Sequence, residues 1–190
     1  MSRALYSLLV IGACLAAPLA SAADLFTKID PAPTSQLWVD TGFYTFHFDG
    51  DKDLNDNNKG LALEYRFKGT MTATAGRFYN SDRAWSNYAG VIWQPYAVGP
   101  VRVGLAIAAF DGYPKTRDGG WFPGAIPTLT YEYQRVGVNV GIIPNYKDRL
   151  YGGISFQLKF KLFEKSASRQ HIPTSSPRRR GSKPCADQFR

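Results

Sequence analysis

Between Leu37 and Phe163 apolar and polar residues alternate with a period of two over most of the chain. That is the signature of strands whose successive side chains face opposite ways. Every odd position of Val101-Arg102-Val103-Gly104-Leu105-Ala106-Ile107 is aliphatic. Leu61, Leu63, Tyr65 and Phe67 alternate with Ala62, Glu64, Arg66 and Lys68, and Ile154, Phe156, Leu158, Phe160 and Leu162 with Ser155, Gln157, Lys159 and Lys161. The pattern predicts strands at 37–48, 60–68, 70–80, 85–96, 101–110, 125–134, 136–144 and 150–163. A soluble sandwich would alternate as well, so the links decide. Polar loops at 49–59 and 111–124 fall on one side, with shorter ones at 81–84 and 145–149. Tight turns at Gly69, at Val98-Gly99-Pro100 and near Arg135 fall on the other. Long links on one side and short ones on the other predict an all-β fold, an eight-stranded antiparallel transmembrane β-barrel of the outer-membrane type.

Residues 1–22 read as a signal peptide, with Arg3, an apolar core from Leu5 to Leu19 and the small-residue site Ala20-Ser21-Ala22. Residues 23–36 are expected as a short periplasmic segment, 37–163 as the barrel and 164–190 as a disordered basic tail. Beyond the leader no run of 18 apolar residues occurs, which excludes a helical membrane protein. The net charge of +8 resides mostly in the tail, where seven Lys/Arg face two Asp/Glu from residue 164 onward. Little basic charge is left for the barrel, and no nucleic-acid partner is expected. Cys14 lies in the leader and Cys185 in the tail, so the mature chain has no intrachain disulfide to form.

With both termini and the short turns in the periplasm, the expected lumen has two zones. Asp40, Arg66, Lys68, Arg102, Glu132, Gln134, Lys159 and Lys161 fall in the lower half. The upper half takes Phe43, Ala62, Gly76, Phe78, Tyr88, Gly90, Ile92, Ala106, Ala108, Ile143 and Gly153. An apolar well open at the outer end suits a hydrocarbon chain; the alternative is that these side chains simply fill a small barrel. His47 and Ser81 fall at the same outer height. His47 is a candidate base, with Ser81 and Asn80 as polar partners, for a reaction that needs a base and oxyanion donors. The alternatives are a surface histidine and an Asn80-Ser81-Asp82 turn. With one barrel histidine and no clustered carboxylates no metal site is expected, although the acidic loop Asp49–Asp56 has the composition of a weak cation binder.

Phe78-Tyr79-Asn80-Ser81 followed by Trp85, Ala89-Gly90 and Trp93 resembles the outer-membrane lipid A palmitoyltransferases called PagP. So do Thr116-Arg117-Asp118 through Trp121 to Pro127, and Ile142-Ile143-Pro144 leading to Tyr146; Tyr44-Thr45-Phe46-His47 matches more loosely. The resemblance implies an enzyme of the bacterial outer membrane, a monomer without a cofactor, that moves an acyl chain from a phospholipid onto lipid A. It places catalytic roles on His47, Asn80 and Ser81, substrate contacts on Arg117, Asp118, Tyr88, Gly90 and Ile92, and lateral lipid access at Pro127 and Pro144. Three departures stand out. Asn80 replaces the family's Asp, with Asp82 or Asp49 as substitutes; the N-terminal helix is nearly absent; and Ile92 replaces a Gly at the floor of the acyl well, which implies chains shorter than palmitate. A non-enzymatic barrel that binds or passes a small solute is the alternative. A lipid A deacylase is disfavoured for want of a His-x-Ser pair on one strand.

Overall fold

The computed structural model describes residues 25–50, 52–145 and 151–166. The expected leader, residue 51, residues 146–150 and the tail from 167 onward lie outside the described residues. Nine strands form one antiparallel sheet: β1 (Phe26–Lys28), β2 (Pro33–His47), β3 (Asn57–Lys68), β4 (Met71–Tyr79), β5 (Trp85–Val98), β6 (Val101–Phe110), β7 (Phe122–Tyr133), β8 (Val136–Ile143) and β9 (Gly153–Ser166). Each strand from β2 to β9 pairs with the next, and β9 pairs back onto β2, so eight strands close into a barrel. Closure gives every one of the eight strands a partner on both sides over part of its length, which matters for a sheet this long.

The observed strands cover all eight expected ones, with differences at the seam. Strand β2 begins at Pro33 instead of 37, and β9 runs to Ser166 instead of 163, pairing Thr34 with Ser166 and Gln36 with Glu164. Gln36 donates to Glu164 at 2.7 Å and Lys161 to the same carboxylate at 2.7 Å, so polar side chains extend a strand that the fading apolar pattern had ended. Strand β1 was not expected. It covers the edge of β5 below the start of β4, pairing Phe26 with Val98 and Lys28 with Tyr96.

The barrel's polarity is inverted relative to a soluble core. Large apolar side chains point outward and stay exposed, among them Leu61, Leu63, Ile107, Leu158 and Leu162. The lower lumen holds charge. Lys159 lies 2.7 Å from Glu64 and 2.8 Å from Glu132, and Arg66 grips Glu132 through two hydrogen bonds of 2.6 and 2.9 Å. Asn139 donates to Glu64 at 2.7 Å and accepts from Thr130 at 2.8 Å, while Gln94 donates to Thr130 at 2.8 Å. Arg102 reaches Gln94 and the Gly69 carbonyl below. Of the residues expected to face this zone, Lys68 instead lies exposed at the end of β3, and Gln134 lies exposed in the β7–β8 turn with a positive φ of 55°.

One irregularity sets the upper half. On β2 the inward positions are Trp38 and Asp40, then Phe43 and Thr45, with exposed Tyr44 and Phe46 pointing outward. The parity changes at Gly42, where the pairing shifts against both β3 and β9. A Cβ at Gly42 would stand 2.2 Å from the Asn58 carbonyl oxygen and 2.3 Å from the Gly60 nitrogen. The bulge and the close approach of β3 therefore require glycine.

Lys159 and Glu64 are each about 1 % exposed, so removing one leaves the other as an uncompensated buried charge. Lys159→Met is expected to destabilise the barrel by about 3–5 kcal/mol. Adding Glu64→Gln should recover part of that loss. Denaturant unfolding followed by tryptophan fluorescence measures both, and equal stability of the single variant and the wild type would contradict the role given to the pair.

Candidate functional site

The change of parity at Gly42 turns His47 inward at the upper end of β2, where its side chain is only 5 % exposed. Its Nε2 lies 2.8 Å from Ser81 Oγ, and its Nδ1 lies 2.7 Å from Asp56 Oδ1. Hydroxyl, imidazole and carboxylate thus form one chain, the arrangement in which a carboxylate fixes the imidazole tautomer and the imidazole takes the hydroxyl proton. The carboxylate is Asp56 rather than Asp49 or Asp82. Its sequence signal was present only as the last acid of the Asp49–Asp56 loop, because the loop's path brings it to His47.

Three asparagines hold that path. Asn55 donates through its side chain to the carbonyls of Asn57 and Asn80 at 3.1 Å each, and its backbone N–H donates to the Ser81 carbonyl at 3.0 Å. Asn58, 2 % exposed, donates to the Tyr79 carbonyl at 3.0 Å and accepts from Thr45 Oγ1 at 2.7 Å. The loop carrying Asp56 is thereby tied to the end of β4 and to the residue bearing the hydroxyl. Asn80 is fully buried and donates to Ser86 Oγ and the Gly112 carbonyl at 2.8 Å each. Its Oδ1 accepts the Ala84 N–H at 2.9 Å. The side chain expected as a reacting partner of His47 instead builds the turn that presents Ser81, and carries the β6–β7 loop against it. An amide fits this place because it donates twice and accepts once, whereas an ionised carboxylate only accepts.

Ser81 opens on an apolar well of about 440 Å³ within the size range of small-molecule sites. Phe43, Phe78 and Phe110 close its lower end, and Ile126, Ile143 and Pro144 form part of one side. Phe43 meets Phe78 edge-on at 5.1 Å, and Tyr88 stacks on Phe110 at 5.9 Å beneath them. Tyr88, Gly90 and Ile92 are therefore below the well instead of lining it. Ile92 is not the floor; the aromatic layer stops the space above it. Arg117 lines the well and donates to the Trp121 carbonyl at 3.0 Å. Asp118 sits beside it in the 3-10 turn Arg117–Gly119, in a left-handed conformation, and does not line the well. Tyr113, another lining residue, was missed in the sequence; burial pushes its phenol up from the ordinary range.

The wall of the well is discontinuous. Pairing between β7 and β8 runs from Tyr133↔Val136 to Thr128↔Gly141 and stops one residue before Pro127. Among the described residues, Phe122–Pro127 pair only with β6, and Ile142 and Ile143 only with β9. Pro127 has no N–H to continue the ladder, and Pro144 follows the last residue of β8. The two prolines flank a lateral gap along residues 123–126, where Gly124 and Ile126 face the well and Pro123 and Ala125 are exposed at its edge.

No known family model matches the chain, and no curated protein compared with it matches significantly.

Asn58→Ala removes the Thr45 and Tyr79 contacts without touching His47, Ser81 or Asp56. It should free the loop and weaken the Asp56–His47 bond, which proton NMR of the imidazole Nδ1–H detects as loss of the downfield hydrogen-bonded resonance. A resonance unchanged from the wild type would show that the loop is held by other means.

Proposed function

We propose that the chain is a serine acyltransferase of the bacterial outer membrane that moves an acyl chain from a phospholipid onto lipid A. The observation that carries the proposal is the Asp56–His47–Ser81 chain at the mouth of an apolar well. The location is supported by the exposed apolar exterior and by strand length. Strands of 12–15 residues such as β2, β3 and β7, tilted as in such barrels, rise about 30 Å, close to a bilayer's hydrocarbon thickness. The resemblance to the PagP family supplies the lipid substrates.

In this mechanism the acyl chain enters through the β7–β8 gap and lies in the well with its ester at the rim. Ser81 Oγ attacks the ester carbonyl while His47 Nε2 takes the hydroxyl proton, and Asp56 stabilises the resulting imidazolium. Collapse of the tetrahedral intermediate breaks the bond to the glycerol oxygen, which takes the proton back from His47 and leaves as the lysophospholipid. A lipid A hydroxyl then gives its proton to His47 and attacks the acyl-Ser81 ester; collapse breaks the bond to Ser81 Oγ, which takes the proton back from His47 Nε2. Asn80 has no proton-transfer role here; its contribution is the turn.

Hydrolysis, with water as the acceptor, is the second reading. It is favoured by an open polar chamber on the outer side of Ser81. The absence of His-x-Ser on one strand does not count against it, because the pair is built across β2 and the β4–β5 turn. A passive channel fits less well, since Glu64, Arg66, Asn139, Gln157 and Lys159 occupy the lower lumen as buried, bonded side chains.

Mass spectrometry of lipid A from cells with and without the protein decides between these readings. The expected result is a gain of one acyl chain that falls by about 10³-fold or more in Ser81→Ala and His47→Ala. Loss of mass would indicate a deacylase, and no change with a folded barrel would remove the acyltransferase reading. The aromatic floor supports a preference for chains shorter than palmitate. Phe78→Ala should shift the transferred chains to longer lengths, as read from the same spectra. A wild type that transfers chiefly palmitate would contradict the role given to the floor.

A further inference from the structure

The β6–β7 loop brings one further side chain to the mouth of the well. Asn80 donates to the Gly112 carbonyl at 2.8 Å, which ties two segments together one residue before Ser81 and one residue before Tyr113. Both of those residues line the well. The Tyr113 backbone is also held within its own loop, its carbonyl accepting the N–H groups of Thr116 at 2.9 Å and Gly119 at 3.2 Å. The ring packs against the cluster of Ala62, Phe78 and Tyr88 and meets Phe122 edge-on at 5.6 Å. None of these contacts uses the phenol hydroxyl, which has no hydrogen-bond partner among the described residues. A tyrosine packed into a wall normally finds a partner for its O–H, so this one is a donor left for what enters the well. Burial first, and then the Asp82 carboxylate, push the phenol above its ordinary range. It therefore keeps its proton wherever His47 can act as a base.

Attack by Ser81 creates a demand for such a donor. When Oγ bonds to the ester carbon, the π pair of the carbonyl moves onto its oxygen, and a preset donor stabilises that charge best where water is scarce. Arg117, another donor on the lining, is exposed to solvent and spends one bond on the Trp121 carbonyl at 3.0 Å. We propose that Tyr113 is a further catalytic residue, its phenol O–H donating to the ester carbonyl oxygen as that oxygen becomes an oxyanion. The assignment rests on the acyl-transfer reading. The phenol keeps its proton throughout. On collapse the pair returns to the carbonyl, the bond to the glycerol oxygen breaks, and His47 gives its proton to that oxygen. The same donor serves the second tetrahedral intermediate, formed when the acceptor hydroxyl attacks acyl-Ser81.

The test uses the purified barrel in detergent, the p-nitrophenyl ester of a medium-length fatty acid as substrate, and Ser81→Ala as the background. Tyr113→Phe keeps the ring and its packing and removes only the donor. Its kcat is expected to fall by about 10²-fold or more, while KM stays within about twofold of the wild type. Binding of a fatty alcohol of the same chain length, followed by tryptophan fluorescence, should be unchanged, which also shows that the variant is folded. A Tyr113→Phe barrel with the wild-type kcat would overturn the assignment, because the hydroxyl would then be idle. A loss carried by KM and by alcohol binding would overturn it too, and leave Tyr113 as a wall of the well. A wild type with no turnover above Ser81→Ala is a separate result. It would remove the acyl-transfer reading itself, and this assignment with it.

Discussion

In a closed antiparallel barrel every backbone hydrogen bond runs to a neighbouring strand, so each side chain has only two places to go, the lumen or the outside. A shift of one residue exchanges the two faces for the rest of the strand. The bulge at Gly42 uses that constraint. Below it the even positions of β2 send Trp38 and Asp40 into the charged lower lumen; above it the odd positions send Phe43, Thr45 and His47 into the well and its rim. Without the extra residue Tyr44 and Phe46 would face inward and His47 outward, and Ser81 would have no imidazole to meet. The close approach of β3 at Gly42 fixes the bulge in place, so a backbone feature without chemistry of its own positions the imidazole.

The two halves of the lumen depend on each other. Below, Lys159, Arg66, Glu64 and Glu132 compensate one another at hydrogen-bond distance. Such a network is weak as a source of net stability, because desolvation offsets much of the attraction. Its contribution is a rigid, filled base on which the Phe43, Phe78, Tyr88 and Phe110 layer rests. The aromatic layer in turn gives the well a bottom, which an unfilled barrel of the same strand number would lack.

Much of this was legible in the sequence, because period-two alternation is a direct consequence of strand geometry. The eight barrel strands, their order of long and short links, and the charged and apolar zones could all be read from residue type and parity. His47 and Ser81 could be paired because both fall at the same height. The remainder depends on how irregular backbone folds. Asp56 lies in a loop whose path is set by Asn55 and Asn58, and no periodicity reports such a path. Asn80 was expected as a polar partner of His47 and is found bonded to Ser86, Ala84 and Gly112 instead, because a motif gives the position of a residue but not the direction of its amide. Ile92 was expected as the floor because it faces the lumen. The rings above it reach across the barrel and close the space first, a matter of side-chain size at facing positions on different strands.

For the proposed acyl transfer, the site's position at a boundary is also a chemical rationale. An ester between a hydrocarbon and a polar head is amphiphilic at the bond to be broken, so a site that cleaves it has to satisfy both sides at once. The chain meets this by placing Ser81 on a turn between two chambers, with Phe78 and Phe43 on the one side and Lys52, Arg83 and Lys115 on the other. His47 is nearly buried while Asp56 is about half exposed, so the imidazole is sheltered while the carboxylate keeps contact with water. Water around Asp56 weakens its hold on an imidazolium relative to a buried carboxylate. More of the orientation of His47 therefore falls to the backbone, through the Thr45 N–H to the Asp56 carbonyl at 2.9 Å and the asparagine contacts around it. A rim site of this kind gains its precision from the ladder and its loops rather than from burial.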